Sequence, residues 1–176
     1  SGEAFLEDVY ARIEQTRFDE LPIRLSIVAT DFWRREPVVF EEGFFRPAVQ
    51  GSMAIPGLFA PLHLDDRVLI DGGAVNPVPW DLLSAECDIT IAVNVGGSRS
   101  RTDELSPLDA VFNTFEIMQA SIVAAKRKTD EPDIYVEPPV VDVRALEFHR
   151  LDEVLDQAEP ARQSLHRRLA ARLERR

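Results

Sequence analysis

Cysteine is almost absent from this chain. The single Cys87 excludes an internal disulfide framework and makes a reducing compartment the easier reading. Long apolar runs are absent as well. No stretch approaches the roughly 20 apolar residues that a membrane-spanning helix requires, and none has the order of a secretory leader. The expected location is cytoplasmic, with peripheral membrane contact as a variant of it. Basic charge is scarce: 20 Lys and Arg stand against 31 Asp and Glu, a formal net charge of -11. Phosphate backbones need a basic surface, so no nucleic-acid partner is expected. Strong adhesion to anionic lipid is disfavoured too, except through a local basic patch. His149 and His166 are separated and lack partners at ligand spacing, so no metal is expected, and no other cofactor is indicated. Internal repeats and low-complexity linkers are missing.

What is present is ordinary globular material. The 176 residues, 45% apolar and 29% charged, suffice for one domain with a real core, so residues 1–176 read as a single domain. Apolar spacing predicts an amphipathic helix over about 3–17. A buried strand follows over Ile23–Thr30, then another over Pro37–Glu41, ended by Gly43. A helix opens at Arg46, with Pro47 tolerated in its first turn, and Pro56-Gly57 closes that segment. His63–Ile70 reads as a hairpin turning at Asp65-Asp66. A short helix begins at Pro79. Ile89–Val95 is a near-continuous apolar strand, of the kind buried inside a parallel sheet. Pro107 starts a helix to about Arg127, with Leu108, Val111, Phe112, Phe115, Met118 and Ile122 on one side. A strand over Asp133–Val136 precedes a final helix from Leu151, with Val154, Leu155, Ala158, Leu165, Leu169 and Leu173 facing inward. Helices alternating with apolar strands make the class α/β in layers. The basic C-terminal end of that helix reads as a solvated face that complements the helix dipole.

The chemistry-bearing stretch is Ile70-Asp71-Gly72-Gly73, continued by Ala74-Val75-Asn76-Pro77-Val78-Pro79. Taken alone, Asp-Gly-Gly marks a tight turn, because glycine supplies unusual backbone angles. Its context adds more. A carboxylate at the end of an apolar strand occupies the place where α/β proteins carry catalytic groups. Small Gly72 and Gly73 permit another backbone or a substrate to approach it.

A second segment runs Pro47-Ala48-Val49-Gln50-Gly51-Ser52-Met53-Ala54-Ile55-Pro56-Gly57-Leu58-Phe59-Ala60-Pro61. Together with Val28-Ala29-Thr30-Asp31 and the Asp-Gly-Gly hairpin, it resembles the patatin-like phospholipase family. Order and spacing match over about residues 20 to 97. Tyr135-Val136-Glu137-Pro138 and Phe148 resemble its closing strand and loop more loosely. The resemblance implies a layered α/β/α sheet and a serine hydrolase acting on lipid esters through a Ser–Asp dyad, with no histidine. Asp71 matches the dyad aspartate, with Gly72 and Gly73 as supporting motif residues. The aspartate would take the serine proton directly, an acyl-enzyme would form, and backbone N–H groups of a glycine-rich loop would hold the oxyanion.

One element of that family pattern is absent. The chain contains no Gly-x-Ser-x-Gly nucleophile elbow. Ser52 lies in the segment that matches a non-catalytic helix. Ser98 and Ser100 lie in a polar loop, Gly96-Gly97-Ser98-Arg99-Ser100, that lacks the elbow pattern. The expectation is therefore the C-terminal portion of a patatin-like catalytic domain, inactive alone. Ser1-Gly2, standing where an initiator methionine is expected, agrees with that expectation. The missing N-terminal half or a second copy would cover the exposed sheet, and the partner in solution would be a lipid or ester substrate. The alternative is a non-catalytic binding or scaffold module in which Asp71 is only a turn residue. A metal-dependent phosphatase using a strand-end aspartate is disfavoured by Leu69 two residues earlier. His63 reads as a surface or hydrogen-bonded histidine. Trp33, Phe44, Phe45 and Phe59 read first as core and second as the lining of an acyl-chain pocket.

Overall fold

A computed structural model describes residues 16–83, 87–98, 100, 106–143 and 147–174. The helix expected over 3–17 lies outside the described residues except for Thr16 and Arg17. Neither is helical, and Arg17 forms an isolated antiparallel bridge with Phe44. The chain divides into two compact units, Ser1–Pro77 and Val78–Arg176. Mixed α/β content is present, as the residue pattern predicts.

The first unit is built on a four-stranded antiparallel sheet with strands β1 (Ile27–Asp31), β2 (Glu36–Phe40), β3 (Leu62–Leu64) and β4 (Arg67–Asp71), in the order β2-β1-β4-β3. β1 begins at Ile27 rather than Ile23. Ile23 is 80% exposed, so the apolar residues just after Pro22 are not ladder residues. In the body of β1, Val28, Ala29, Thr30 and Asp31 are all buried. The β3–β4 hairpin turns at Asp65-Asp66 as expected, with Asp65 at φ +51. Aspartate tolerates that left-handed geometry better than most residues.

Helix α1 (Phe45–Ser52) buries Phe45, Ala48 and Gly51. Phe45 and Ala48 pack with Phe18, while Ala29, Val38 and Leu69 form the adjoining cluster. Gly51 sets the approach of helix to sheet. A Cβ there would lie 3.2 Å from the Leu69 Cδ1 and 3.6 Å from the Ala29 Cβ.

The second unit holds a two-stranded parallel pair, β5 (Ile91–Val93) with β6 (Ile134–Val136), in the register Ile91 to Ile134. The strand expected over Ile89–Val95 is thus only three residues long, and it is not covered throughout: Val95 is 80% exposed. Val78, Trp80, Ala92 and Val123 form the core here, with Tyr135 against it. Helix α2 (Pro107–Lys126) has its boundaries where Pro107 and the apolar spacing put them. The Ser106 hydroxyl oxygen accepts the Asp109 N–H at 3.1 Å, closing its first turn. On its apolar side Leu108, Val111 and Met118 are exposed and Phe112, Phe115 and Ile122 half-buried, while Val123 is the buried residue. Helix α3 (Leu151–Leu173) buries no residue, and the expected inward residues Leu155 and Leu173 are exposed. No described helix is long and apolar enough to cross a membrane.

Candidate active site

Asp71 ends β4, and three contacts from its neighbours fix its backbone. In the β1–β4 register it faces Ala29. Its N–H donates to the Ala54 carbonyl at 3.0 Å, and its carbonyl accepts the Thr30 hydroxyl at 2.9 Å. Strand β1 and the segment after α1 therefore position this residue jointly. Its carboxylate Oδ1 accepts the Gly73 N–H at 2.7 Å, the one bond to that carboxylate among the described residues. The side chain is half-buried. Burial raises its pKa above the ordinary carboxylate value, and the Gly73 N–H offsets part of that rise. A carboxylate so placed is a better proton acceptor than a solvated one.

The two glycines have separate tasks. A Cβ on Gly72 would fall 2.3 Å from the Val28 carbonyl oxygen, so the backbone that comes close here is that of β1. Gly73 supplies the N–H that orients Asp71. The exit after Ala74 is tied back by Val75 and Asn76, whose N–H groups both donate to the Gly72 carbonyl.

Asp31, the other acidic residue of the matched motifs, is engaged differently. It is buried, and its Oδ1 accepts the N–H groups of Trp33 at 3.1 Å and Arg34 at 2.9 Å. It clasps the β1–β2 turn, where Arg35 sits at φ +58. Asp66 pairs with Arg34 at 2.8 Å on the surface, as suits a turn residue. His63 is exposed on β3.

Each of the candidate serines has its own setting. Ser52 ends α1. Ser98 pairs by its backbone with the 140–142 segment. Ser100 does meet an aspartate: its hydroxyl donates to Asp142 at 2.7 Å. The same carboxylate also takes the Ser100 N–H at 2.8 Å, and Asp142 lies at φ +58. This exposed pair is a loop clasp, because the carboxylate is spent on both groups of one residue. Among the described residues no three His, Cys, Asp or Glu side chains converge to hold a metal.

The aromatics divide. Phe45 is core, as expected, and Phe59 is half-buried. Trp33 and Phe44 are not core: they are 74% and 60% exposed, with Trp33 edge-on to Phe32 and Phe44 under the Arg17 guanidinium. Sequence reasoning passed over Thr30 and Ala54 as site residues. Thr30, a polar residue inside an apolar strand run, was the signal available for one of them. The Ala54 carbonyl carries none.

A family profile described as patatin-like phospholipase matches residues 1–84, the stretch that contains β1–β4, α1 and Asp71. Over residues 1–84 the chain is thus similar to patatin-like phospholipases. Relatives agree. An uncharacterized NTE family protein of Mycobacterium tuberculosis is 36% identical over 100 residues, 56% of this chain and 28% of that protein. A second such protein of the same organism is 32% identical over 73 residues, 42% of this chain and 12% of its own length. The lysophospholipase NTE1 of Saccharomyces cerevisiae is 24% identical over 179 aligned positions, 88% of this chain and 11% of that protein. The chain thus spans little more than a quarter of the mycobacterial relative and about a tenth of the yeast one.

Proposed function

We propose that this chain is part of a patatin-like lipid acyl hydrolase, cleaving carboxylic esters of phospholipids or lysophospholipids, and that Asp71 is its general base. The observation that carries the reading is the half-buried Asp71 carboxylate. It sits at a strand end inside the patatin-matched segment, oriented by the Gly73 N–H and with its basicity raised by burial. In this mechanism Asp71 removes the hydroxyl proton of a serine as that oxygen attacks the ester carbonyl. The tetrahedral oxyanion collapses, and the leaving alcohol takes the proton back from Asp71. Water, deprotonated by the same carboxylate, then attacks the acyl-serine, and Asp71 returns that proton to the serine oxygen as the fatty acid is released.

The serine and the oxyanion donors come, in this proposal, from a segment outside these residues, because no Gly-x-Ser-x-Gly is present among them. Residues 1–176 are then one portion of a single catalytic domain, and the other portion or a second copy covers it. The 176-residue chain should turn over no p-nitrophenyl acyl ester, while the protein carrying the upstream segment should. Turnover by the short chain that Asp71→Asn abolishes would defeat the proposal of an external serine.

A non-catalytic module remains the second reading, favoured by one observation. The Asp71–Gly73 bond is also what a plain aspartate turn makes. On that reading Asp71→Asn leaves hydrolysis by the longer protein unchanged.

A further inference from the structure

The second unit carries a basic groove that the Asp71 chemistry does not use. Arg127 directly follows α2. Arg168 and Arg172 lie four residues apart on α3, hence on one helical face. With Glu131, Asp133 and Tyr135 they line a depression of about 540 Å³. Three guanidinium groups meet two carboxylates there, a local excess of positive charge in a chain whose net charge is -11.

The partners leave most donors of this cluster uncommitted. Arg127 donates one Nη2 to Glu131 at 3.0 Å and stacks 4.0 Å over the Tyr135 ring, while its Nε is buried without an acceptor among the described residues. Arg172 bonds Asp133, whose other oxygen accepts the Thr90 N–H at 2.9 Å and is thereby tied to the β5–β6 pair. Arg168 donates to the Tyr135 carbonyl at 2.7 Å, a neutral acceptor that leaves its charge uncompensated. Each guanidinium has five N–H donors in a planar fork that suits tetrahedral oxyanions, and an anion placed between them meets charge-assisted bonds.

We propose that this groove binds a phosphate-type oxyanion, with Arg127, Arg168 and Arg172 as its donors. The proposal does not rest on the reading of Asp71. The phosphate belongs either to a soluble phosphate ester or to a lipid headgroup, and both present the same chemistry to the arginines. The test titrates the 176-residue chain with inorganic phosphate and with glycerol 3-phosphate by calorimetry. In a second arm the chain is floated with vesicles of phosphatidylcholine, with and without phosphatidic acid.

Saturable phosphate binding is expected, weakened about tenfold in Arg168→Gln through loss of a charge-assisted bond. It should be strengthened in Glu131→Gln, which removes the competing carboxylate from Arg127. Flotation only with phosphatidic acid, lost in Arg168→Gln, assigns the site to a headgroup. Binding of glycerol 3-phosphate without flotation assigns it to a soluble ester. No saturable binding in either arm, or binding that Arg168→Gln leaves unchanged while circular dichroism shows an intact fold, overturns the proposal.

Discussion

The two units solve opposite problems. In Ser1–Pro77 the elements are short and their burial is dense: eight-residue α1 buries three residues, and Ala29 and Leu69 at the centres of β1 and β4 are inaccessible to solvent. In Val78–Arg176 the elements are long and their burial is sparse: the 20 residues of α2 bury Val123, and the 23 residues of α3 bury none. Ion pairs stand instead at the start of α3, where Arg150 just before it meets Glu147 and Glu153, and along it, where Arg162 meets Glu159. The difference separates two causes that a sequence mixes. Spacing, caps and i,i+3 or i,i+4 pairs determine that a helix exists. What it buries depends on which neighbours stand against it. Asp71 belongs to the unit where neighbours decide, so its position is held by backbone partners on β1 and after α1.

That contrast can be broken by mutation. The largest stability change is expected at Leu69, which is fully buried between Ala29, Val38 and Gly51. Leu69→Ala should cost about 2–5 kcal/mol in guanidinium denaturation. Gly72→Ala comes next. Its Cβ would overlap the Val28 carbonyl at 2.3 Å, and relieving that overlap requires the β1–β4 pair to separate. A loss of about 1–3 kcal/mol is expected, with faster amide exchange at Ala29 and Asp71.

Asp71→Asn should change stability in the other direction. The folded-state pKa of Asp71 is raised above its unfolded value. Its contribution is therefore fully present below the unfolded pKa and is lost as pH rises through the folded one, which leaves the ionised form a burden at neutral pH. Asparagine keeps an oxygen for the Gly73 N–H and carries no charge. The variant should melt above the parent at pH 7, with the gap closing as pH falls towards 3. The smallest effect is expected at Leu155, which is 59% exposed on α3. Leu155→Ala should lie within about 0.5 kcal/mol of the parent. A cost like that of Leu69→Ala would show α3 to be packed against something that the described residues do not include.

The sequence made some of this legible and concealed the rest for physical reasons. Strand β2, the Asp65-Asp66 hairpin, α2 and β6 stand within one or two residues of where apolar period and turn residues put them. These signals are local. The start of β1 was misplaced because Ile23 and Leu25 have strand-forming side chains but no strand opposite them. The apolar face of α3 reads as inward along the chain because period reveals a face and not its partner. At the site, Asp71 stood out by its motif and its strand-end place. Its supports did not, since one of them is the carbonyl of Ala54, and every residue has a carbonyl. The groove of Arg127, Arg168 and Arg172 was invisible for a similar reason. Its members are some 40 residues apart, and the two on α3 read along the chain as the solvated basic end of a helix.

The proposed role of Asp71 is tested most directly by ester hydrolysis in the protein that carries its upstream segment, comparing the parent with Asp71→Asn and recording the melting temperature of both. The account predicts that the variant melts no lower at pH 7 while kcat falls about 10²–10⁴-fold, the loss typical of a missing general base. An Asp71→Asn variant that keeps the parental kcat would make Asp71 a turn residue and contradict the account.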